Sequence, residues 1–341
     1  MKIYRSRAPL RLGLAGGGTD VSPYTEEYGG LVLNVTIDKY AYVSIIERSD
    51  GHYSFTNADS QLTTSGPSST ILPVVSGLDL HCGVYNRVVK DWNKGRVLTV
   101  DVTTHSEAPP GSGLGSSSTV VVAMLKAYAE MLGVSIGDYE LAQLAFDIER
   151  KDLAMSGGKQ DQYAATFGGL NYIEFNAGSV VVNPLRLKAS HKAEIEASLL
   201  LYFTGVSRSS ANIIDQQVSQ LNSGETKSVE AMHALKRDAV IMKEAILKGD
   251  YFGVAESMRR SWEAKKNTAT SVSNSKIDQI FEAALAAGAL AGKVSGAGGG
   301  GFMMFIVDPR RRAEVIRLLQ GFDGTVMTCG FVERGAESWT A

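Results

Sequence analysis

At 341 residues the chain is long enough for two ordinary domains, and its 44% hydrophobic and 21% charged residues are those of a globular protein. A net charge of -2 gives no electrostatic case for nucleic-acid binding, and no apolar run reaches membrane-span length, the densest being Thr119 to Leu125. Met1-Lys2-Ile3-Tyr4-Arg5 lacks the apolar stretch of a signal peptide, and Cys82 and Cys329 fit no disulfide or zinc pattern, so a reduced cytoplasmic protein without nucleic-acid or membrane partners is expected.

In chain order, the first hundred or so residues read as mostly strands. Leu31 to Val35 and Tyr40 to Ile46 are β-branched and aromatic, with turn residues between them. Cys82 to Trp92 carries Val84, Val88 and Val89 at helical spacing, and Val97 to Val102 reads as a strand. Thr119 to Met131 and Tyr139 to Asp152 read as helices, and Gly169 to Phe175 with Val180 to Val182 as a hairpin. The polar stretch Ser190 to Glu196 suggests a boundary, giving domains 1–188 and 189–341. Beyond it, Leu199 to Phe203 is a strand, followed by helices at Ala211 to Leu221, Val229 to Lys248, Tyr251 to Lys265 and Ile277 to Ala287. Phe302 to Val307 is an apolar strand, Arg310 to Arg312 a solvated helix start, Ala313 to Leu319 a helix, and Val326 to Val332 a last strand. The fold class is α+β, or mixed α/β, strand-rich first and helix-rich second.

The 36 glycines cluster at 13–18, 111–115, 157–158, 168–169 and 296–301. Glycine admits positive φ and close approach of a ligand to the backbone. The strongest local signal is Pro109-Pro110-Gly111-Ser112-Gly113-Leu114-Gly115-Ser116-Ser117-Ser118, running straight into a helix. Such a loop points free N–H groups and the positive helix end at one place, where polyphosphate fits. The serines can cap the helix and offer a hydroxyl to a phosphate-bound magnesium ion. It is not a Walker A loop, because Gly158-Lys159 and Gly292-Lys293 are not followed by Ser or Thr, and no Gly-x-Ser-x-Gly elbow with an Asp and His occurs.

This decapeptide resembles the second signature of the galactokinase, homoserine kinase, mevalonate kinase and phosphomevalonate kinase (GHMP) family. The first signature is similar to Arg7-Ala8-Pro9-Leu10-Arg11-Leu12-Gly13-Leu14-Ala15-Gly16-Gly17-Gly18-Thr19-Asp20, and the third to Lys293-Val294-Ser295-Gly296-Ala297-Gly298-Gly299-Gly300-Gly301-Phe302. Their order and spacing carry the resemblance across nearly the whole chain. It implies a strand-rich first domain with a left-handed β-α-β unit, a ferredoxin-like second domain, and ATP and substrate in the cleft between them.

Kinase chemistry needs a phosphate cradle, a metal and a group that orients and deprotonates the attacking hydroxyl. By the resemblance, Pro110, Gly111, Ser112, Gly113, Leu114, Gly115, Ser116, Ser117 and Ser118 hold the ATP phosphates. Ser117 and Glu149 hold Mg2+, and Asp161 is the base. Arg11 would pair with an ionised Asp161 and neutralise the transferring phosphoryl group. Gly16-Gly17-Gly18-Thr19-Asp20 stands where galactokinases carry Gly-Glu-His-Thr-Asp; Gly17 and Gly18 replace the Glu and His, which opens space, and Thr19 and the retained Asp20 would contact the sugar, Asp20 gripping its hydroxyls. Gly298 and Gly299 would close on the substrate with Asp161, while Lys159 and Arg208 are candidates for holding a phosphate on it.

The Gly-Gly-Gly-Thr-Asp loop and the third signature look most like the branch containing heptose 7-phosphate kinases and fucokinase-like enzymes. The expected substrate is therefore a sugar phosphate, with transfer to the anomeric hydroxyl in the service of surface polysaccharide synthesis. A fucose or other sugar 1-kinase is the alternative, and a sugar sensor that kept the fold without catalysis is a third reading. The presence of Arg11, Ser117, Glu149 and Asp161 argues against the sensor. Oligomeric state is open, a homodimer among the options.

Overall fold

Residues 2–206, 210–223 and 226–341 are described by a computed structural model; Arg208 therefore lies outside the described residues. In chain order the elements are β1 (Ile3–Ala15), α1 (Tyr24–Tyr28), β2 (Gly30–Glu47), β3 (His52–Asn57), β4 (Leu62–Pro67), α2 (Asp79–Asp91) and β5 (Val100–Ser106). Then come α3 (Ser116–Leu132), α4 (Asp138–Asp147), a π-helical turn (Ile148–Asp152), α5 (Gln160–Phe167), β6 (Leu170–Asn176), β7 (Ser179–Pro184) and α6 (Ala189–Ser198). The remainder is β8 (Leu199–Phe203), α7 (Ser210–Asn222), α8 (Thr226–Lys248), α9 (Tyr251–Lys266), a 3-10 turn (Thr270–Val272), α10 (Ser275–Ala286), β9 (Ala289–Val294), β10 (Phe302–Val307), α11 (Arg312–Leu319), β11 (Thr325–Met327) and β12 (Glu337–Thr340).

The first sheet has eight strands in the path β12-β1-β2-β5-β3-β4, with β6 and β7 joined through β2. Its one parallel pair among the described residues is β3 with β5, and α2 lies in the crossover between them, forming a β-α-β unit. β1 is buried from Ala8 onward, because α3 and α5 cover one face and α8 and α9 the other. The two strands expected around Leu31 and Tyr40 are one strand of 18 residues. Asp38 and Lys39 do not turn the chain; a shift of register between Pro9 and Arg11 absorbs the irregularity, and Ile37 bridges to Phe331 instead.

The second sheet is antiparallel, in the order β11-β8-β10-β9. With helices between β8 and β9 and α11 between β10 and β11, this is the ferredoxin-like arrangement. The polar stretch 190–196 is not a linker but part of α6, which leads directly into β8. Val326 to Val332 is a strand only to Met327. The chain then returns to the first sheet, where β12 pairs with β1, so the end of the 189–341 segment is built into the first layer. One apolar core joins the two halves: Leu10, Leu12 and Leu33 from the first sheet pack with Met242 and Met258 of α8 and α9 and with Leu201 and Met304 of the second.

Candidate active site

A cavity of about 420 Å³ opens where the loops after β1, before α3, before α5 and before β10 meet. The loop before α3 ends on Gly115 at φ +76°, a left-handed turn that glycine adopts without strain. The expected helix start at Thr119 moves to Ser116, and the serines do not cap: there is no side-chain cap bond. Ser116, Ser117 and Ser118 lie instead in the first turn and line the cavity. Their N–H groups have no carbonyl one turn back to bond, which leaves them for an anion.

This loop is clamped from both domains. The Gly113 carbonyl accepts from Arg11 Nη1 at 2.6 Å and from Ser295 Oγ at 2.8 Å. Phe302 N donates to the Ser112 carbonyl at 2.8 Å, and Arg11 N donates to the Leu114 carbonyl at 3.1 Å. Ser112 and Leu114 are buried and shape the loop from behind.

Arg11, only 3% exposed, also reaches Asp161. Its Nε and Nη2 donate to Asp161 Oδ1 at 2.7 and 2.6 Å. Asp161 Oδ2 has no partner among the described residues, and it lies about 3.3 Å from where a side-chain carbon at Gly115 would sit. One buried guanidinium thus ties the acid to the phosphate loop, and glycine at 115 is what lets the carboxylate come so close.

Glu149 sits in the π-helical turn, fully buried. Its oxygens accept from Ser118 Oγ at 3.0 Å and Gln162 Nε2 at 2.5 Å. Burial pushes its pKa up; Arg150, Gln162 and Ser118 pull the other way without cancelling it. Ser118 is therefore the serine that touches Glu149, while the Ser117 hydroxyl is left on the cavity wall beside it.

Asp20 is 1% exposed and its carboxylate is saturated. It accepts from Gly18 N at 3.0 Å, Lys159 N at 3.0 Å, Gln160 N at 3.1 Å and Gln160 Nε2 at 3.2 Å. It caps α5 from a distance and so positions Asp161, one residue further along.

Four expected substrate contacts lie elsewhere. Thr19 is buried, and its hydroxyl bonds the Gly16 and Leu31 carbonyls, which closes the glycine turn on β2. The Lys159 ammonium turns away to Glu26, at 3.5 Å, and stacks over Phe146. Gly298 and Gly299 pack on Val272, whose carbonyl accepts from Gly299 N at 2.7 Å; Gly296 and Ala297 face the cavity in their place. Gly17 offers its carbonyl, and Gly18 lines the wall.

Two buried lysines escaped the sequence reading. Lys265 donates to the Gly17 carbonyl at 2.9 Å and lines the cavity. Lys293 donates to the Gly13 and Leu14 carbonyls at 2.9 and 3.3 Å, bracing β1 from the second sheet. Desolvation lowers the pKa of Lys265 to about 8 and of Lys293 to about 7. The signal for Lys265 was present in the sequence: it continues the buried stripe Val254, Met258 and Trp262 at helical spacing, where a surface lysine would not fall.

Comparison with known proteins agrees with this geometry. Residues 79–169 match the GHMP kinases N terminal domain and residues 242–320 the GHMP kinases C terminal region. The chain is 45% identical, over 99% of both chains, to the D-glycero-alpha-D-manno-heptose 7-phosphate kinase of Campylobacter jejuni. A crystal structure described as a D-glycero-D-manno-heptose 1-phosphate kinase from Bacteroides thetaiotaomicron superposes with a TM-score of 0.84, at 45% identity, covering 98% of each chain. The L-fucokinase/L-fucose-1-P guanylyltransferase of Bacteroides fragilis is 25% identical over 93% of this chain, which spans 36% of that protein. With a relative so similar along its whole length and both halves matched, the chain belongs to the GHMP kinase family and is an ATP-dependent phosphotransferase.

Proposed function

We propose that the enzyme transfers the γ-phosphate of ATP to the anomeric hydroxyl of D-glycero-D-manno-heptose 7-phosphate. The product is the 1,7-bisphosphate, a precursor of nucleotide-activated heptose for surface polysaccharide. The name of the 45%-identical Campylobacter jejuni protein supports this reading, because it gives a heptose that already carries a 7-phosphate as the acceptor. The observation that carries the chemistry is Arg11 joining Asp161 to the Gly113 carbonyl, because it aligns a proton acceptor with a phosphate cradle.

The anomeric hydroxyl approaches Asp161 Oδ2 and gives up its proton there as its oxygen bonds to the γ-phosphorus. The bond from phosphorus to the β–γ bridging oxygen breaks, and ADP leaves. The first-turn N–H groups of α3 bind phosphate oxygens, and Arg11 places its charge at the reacting end. The purine fits a neighbouring cavity of about 390 Å³ lined by Ile71, Val74, Val89 and Leu153. The two cavities share one segment, since Arg150 and Met155 border the first and Asp152 and Leu153 the second. No helix among the described residues is long and apolar enough to cross a membrane, and we place this ATP-consuming enzyme in the cytoplasm.

Magnesium suits the residues present. Glu149 is a buried carboxylate whose nearest cation, Arg150, is 3.8 Å away, and the Ser117 hydroxyl shares its cavity. These two would hold the ion, which when bound neutralises phosphate charge. The raised pKa sets a sign: without metal, ionised Glu149 costs stability that is present in full below the ordinary glutamate pKa and lost as pH rises through the raised one. Glu149→Gln is therefore expected to melt no lower than wild type near neutral pH in metal-free buffer. The same variant, and Ser117→Ala, should need several-fold more magnesium for half-maximal rate. Unchanged magnesium dependence in both would remove the pair from metal binding.

An ADP-release screen over heptose 7-phosphate, free heptose, fucose, galactose, mannose, homoserine and mevalonate tests the substrate. Heptose 7-phosphate is expected to exceed free heptose in kcat/KM by at least about 10²-fold, since charge-assisted contacts supply ~2–3 kcal/mol. The fucokinase relative favours a second reading, which a preference for unphosphorylated fucose would establish. No sugar-dependent ADP release from folded protein would point to a sensor.

A further inference from the structure

We propose that Lys265 receives the phosphate already carried by the sugar, its ammonium admitted to the cavity wall by glycine at position 18; this rests on the sugar-phosphate reading above. Lys265 is 5% exposed and lies near the end of α9. An ammonium has three protons to donate. Among the described residues the Lys265 Nζ has one hydrogen-bond acceptor, the Gly17 carbonyl, and no carboxylate within ion-pair distance. Asp20 acts on it through space, but the Asp20 carboxylate is already taken by three backbone N–H groups and the Gln160 amide. A desolvated cation facing a cavity with donors to spare is an incomplete site, and an anion completes it.

The loop is shaped around this group. Gly18 has φ +110°, and a side-chain carbon there would come within 2.8 Å of Lys265 Nζ. Glycine at 18, near the end of the first signature, thus makes room for a lysine from the other half of the chain.

Among the described residues, the other buried or cavity-facing cations are held elsewhere, with only the Arg150 Nε, beside Glu149, left without a partner. Arg11 is bound to Asp161 and Gly113, and Lys293 has two carbonyls and does not line the cavity. Arg150 donates to the Met155 and Gly158 carbonyls beside Glu149, and Lys159 is paired with Glu26. A chain of contacts also links Lys265 to the base. Asp161 faces Gly115, Lys265 faces Gly17 and Gly18, and Asp20 with Gln160 lies between. In the proposed pose the sugar follows this chain of contacts, with its attacked hydroxyl at Asp161 and its remote phosphate at Lys265.

The test compares wild type with Lys265→Met and Lys265→Gln, each checked for folding by thermal melting. Wild type is expected to prefer heptose 7-phosphate to free heptose, and that ratio of kcat/KM should fall by at least about tenfold in both variants. Equal losses on both sugars, or an unchanged ratio, would overturn the proposal. A second measurement does not depend on turnover: calorimetric binding of inorganic phosphate to enzyme saturated with a non-hydrolysable ATP analogue. Wild type should bind phosphate, and the variants about tenfold or more weakly. Absent or unaltered binding would overturn it. If wild type ignores heptose 7-phosphate yet binds phosphate through Lys265, the substrate reading falls and the anion site stands.

Discussion

Asp161→Asn is expected to lower kcat by about 10²–10⁴-fold, the usual worth of a general base, while ATP affinity stays near that of wild type. The amide keeps the size of the carboxylate, and its oxygen can still accept from Arg11 Nε and Nη2, so the tie between α5 and the phosphate loop survives as a neutral hydrogen bond. What disappears is Oδ2 as a proton acceptor, the oxygen that has no partner among the described residues. Steady-state turnover and calorimetric nucleotide binding measure the two parts separately. A folded Asp161→Asn enzyme with near-normal kcat would remove Asp161 from the role of base. A large loss of ATP affinity would show that the Arg11 bridge acts by shaping the phosphate loop instead.

That bridge shows what a sequence carries well. Arg11, the loop from Pro110 to Ser118, Glu149 and Asp161 lie in separate parts of the chain, and the cavity gathers them. The loop can be named from its own glycines and the helix that follows, whereas Arg11, Glu149 and Asp161 are named only through the resemblance, since each alone reads as an ordinary surface or helix-end charge. Elements with strong periodicity, such as α8 and α9, fell within a few residues of their expected bounds.

Tertiary partners were not legible. Thr19 and Asp20 are adjacent, yet Thr19 serves its own turn and β2, whereas Asp20 reaches 140 residues along the chain to the N–H of Gln160. No composition or spacing separates those fates. Lys159, beside the expected base, is by sequence a candidate for holding a substrate phosphate, but Glu26 of α1 draws its ammonium away. β12 is four residues whose strand character depends on pairing with β1, more than 300 positions earlier, so local propensity gave no reason to extend the first sheet there. Lys265 was readable only in retrospect, as a charge in register with an apolar stripe.

The glycine runs allow the sharpest separation of backbone strain from lost space. Gly113 and Gly133 both have left-handed φ, +82° and +65°. An alanine at 133, the C-cap of α3, would meet nothing within 4 Å. Gly133→Ala is thus expected to cost only the conformational penalty, about 1–2 kcal/mol, with kcat unchanged. At Gly113 the added carbon would lie 2.3 Å from the Ser295 carbonyl oxygen, which is backbone and cannot swing aside. Ordinary contact requires roughly 1 Å more, so the loop before α3 must part from the loop before β10. That separation breaks the Ser295 hydroxyl bond to the Gly113 carbonyl and pulls the same carbonyl away from Arg11. A displacement of about 1 Å between phosphate cradle and base is enough to reduce turnover by about 10²-fold, even where the fold survives. Gly113→Ala should therefore be destabilised beyond Gly133→Ala in thermal melting and lose kcat by at least that factor. Equal melting temperatures and equal kcat in the two variants would mean that the clasp between the halves does not set the geometry of transfer.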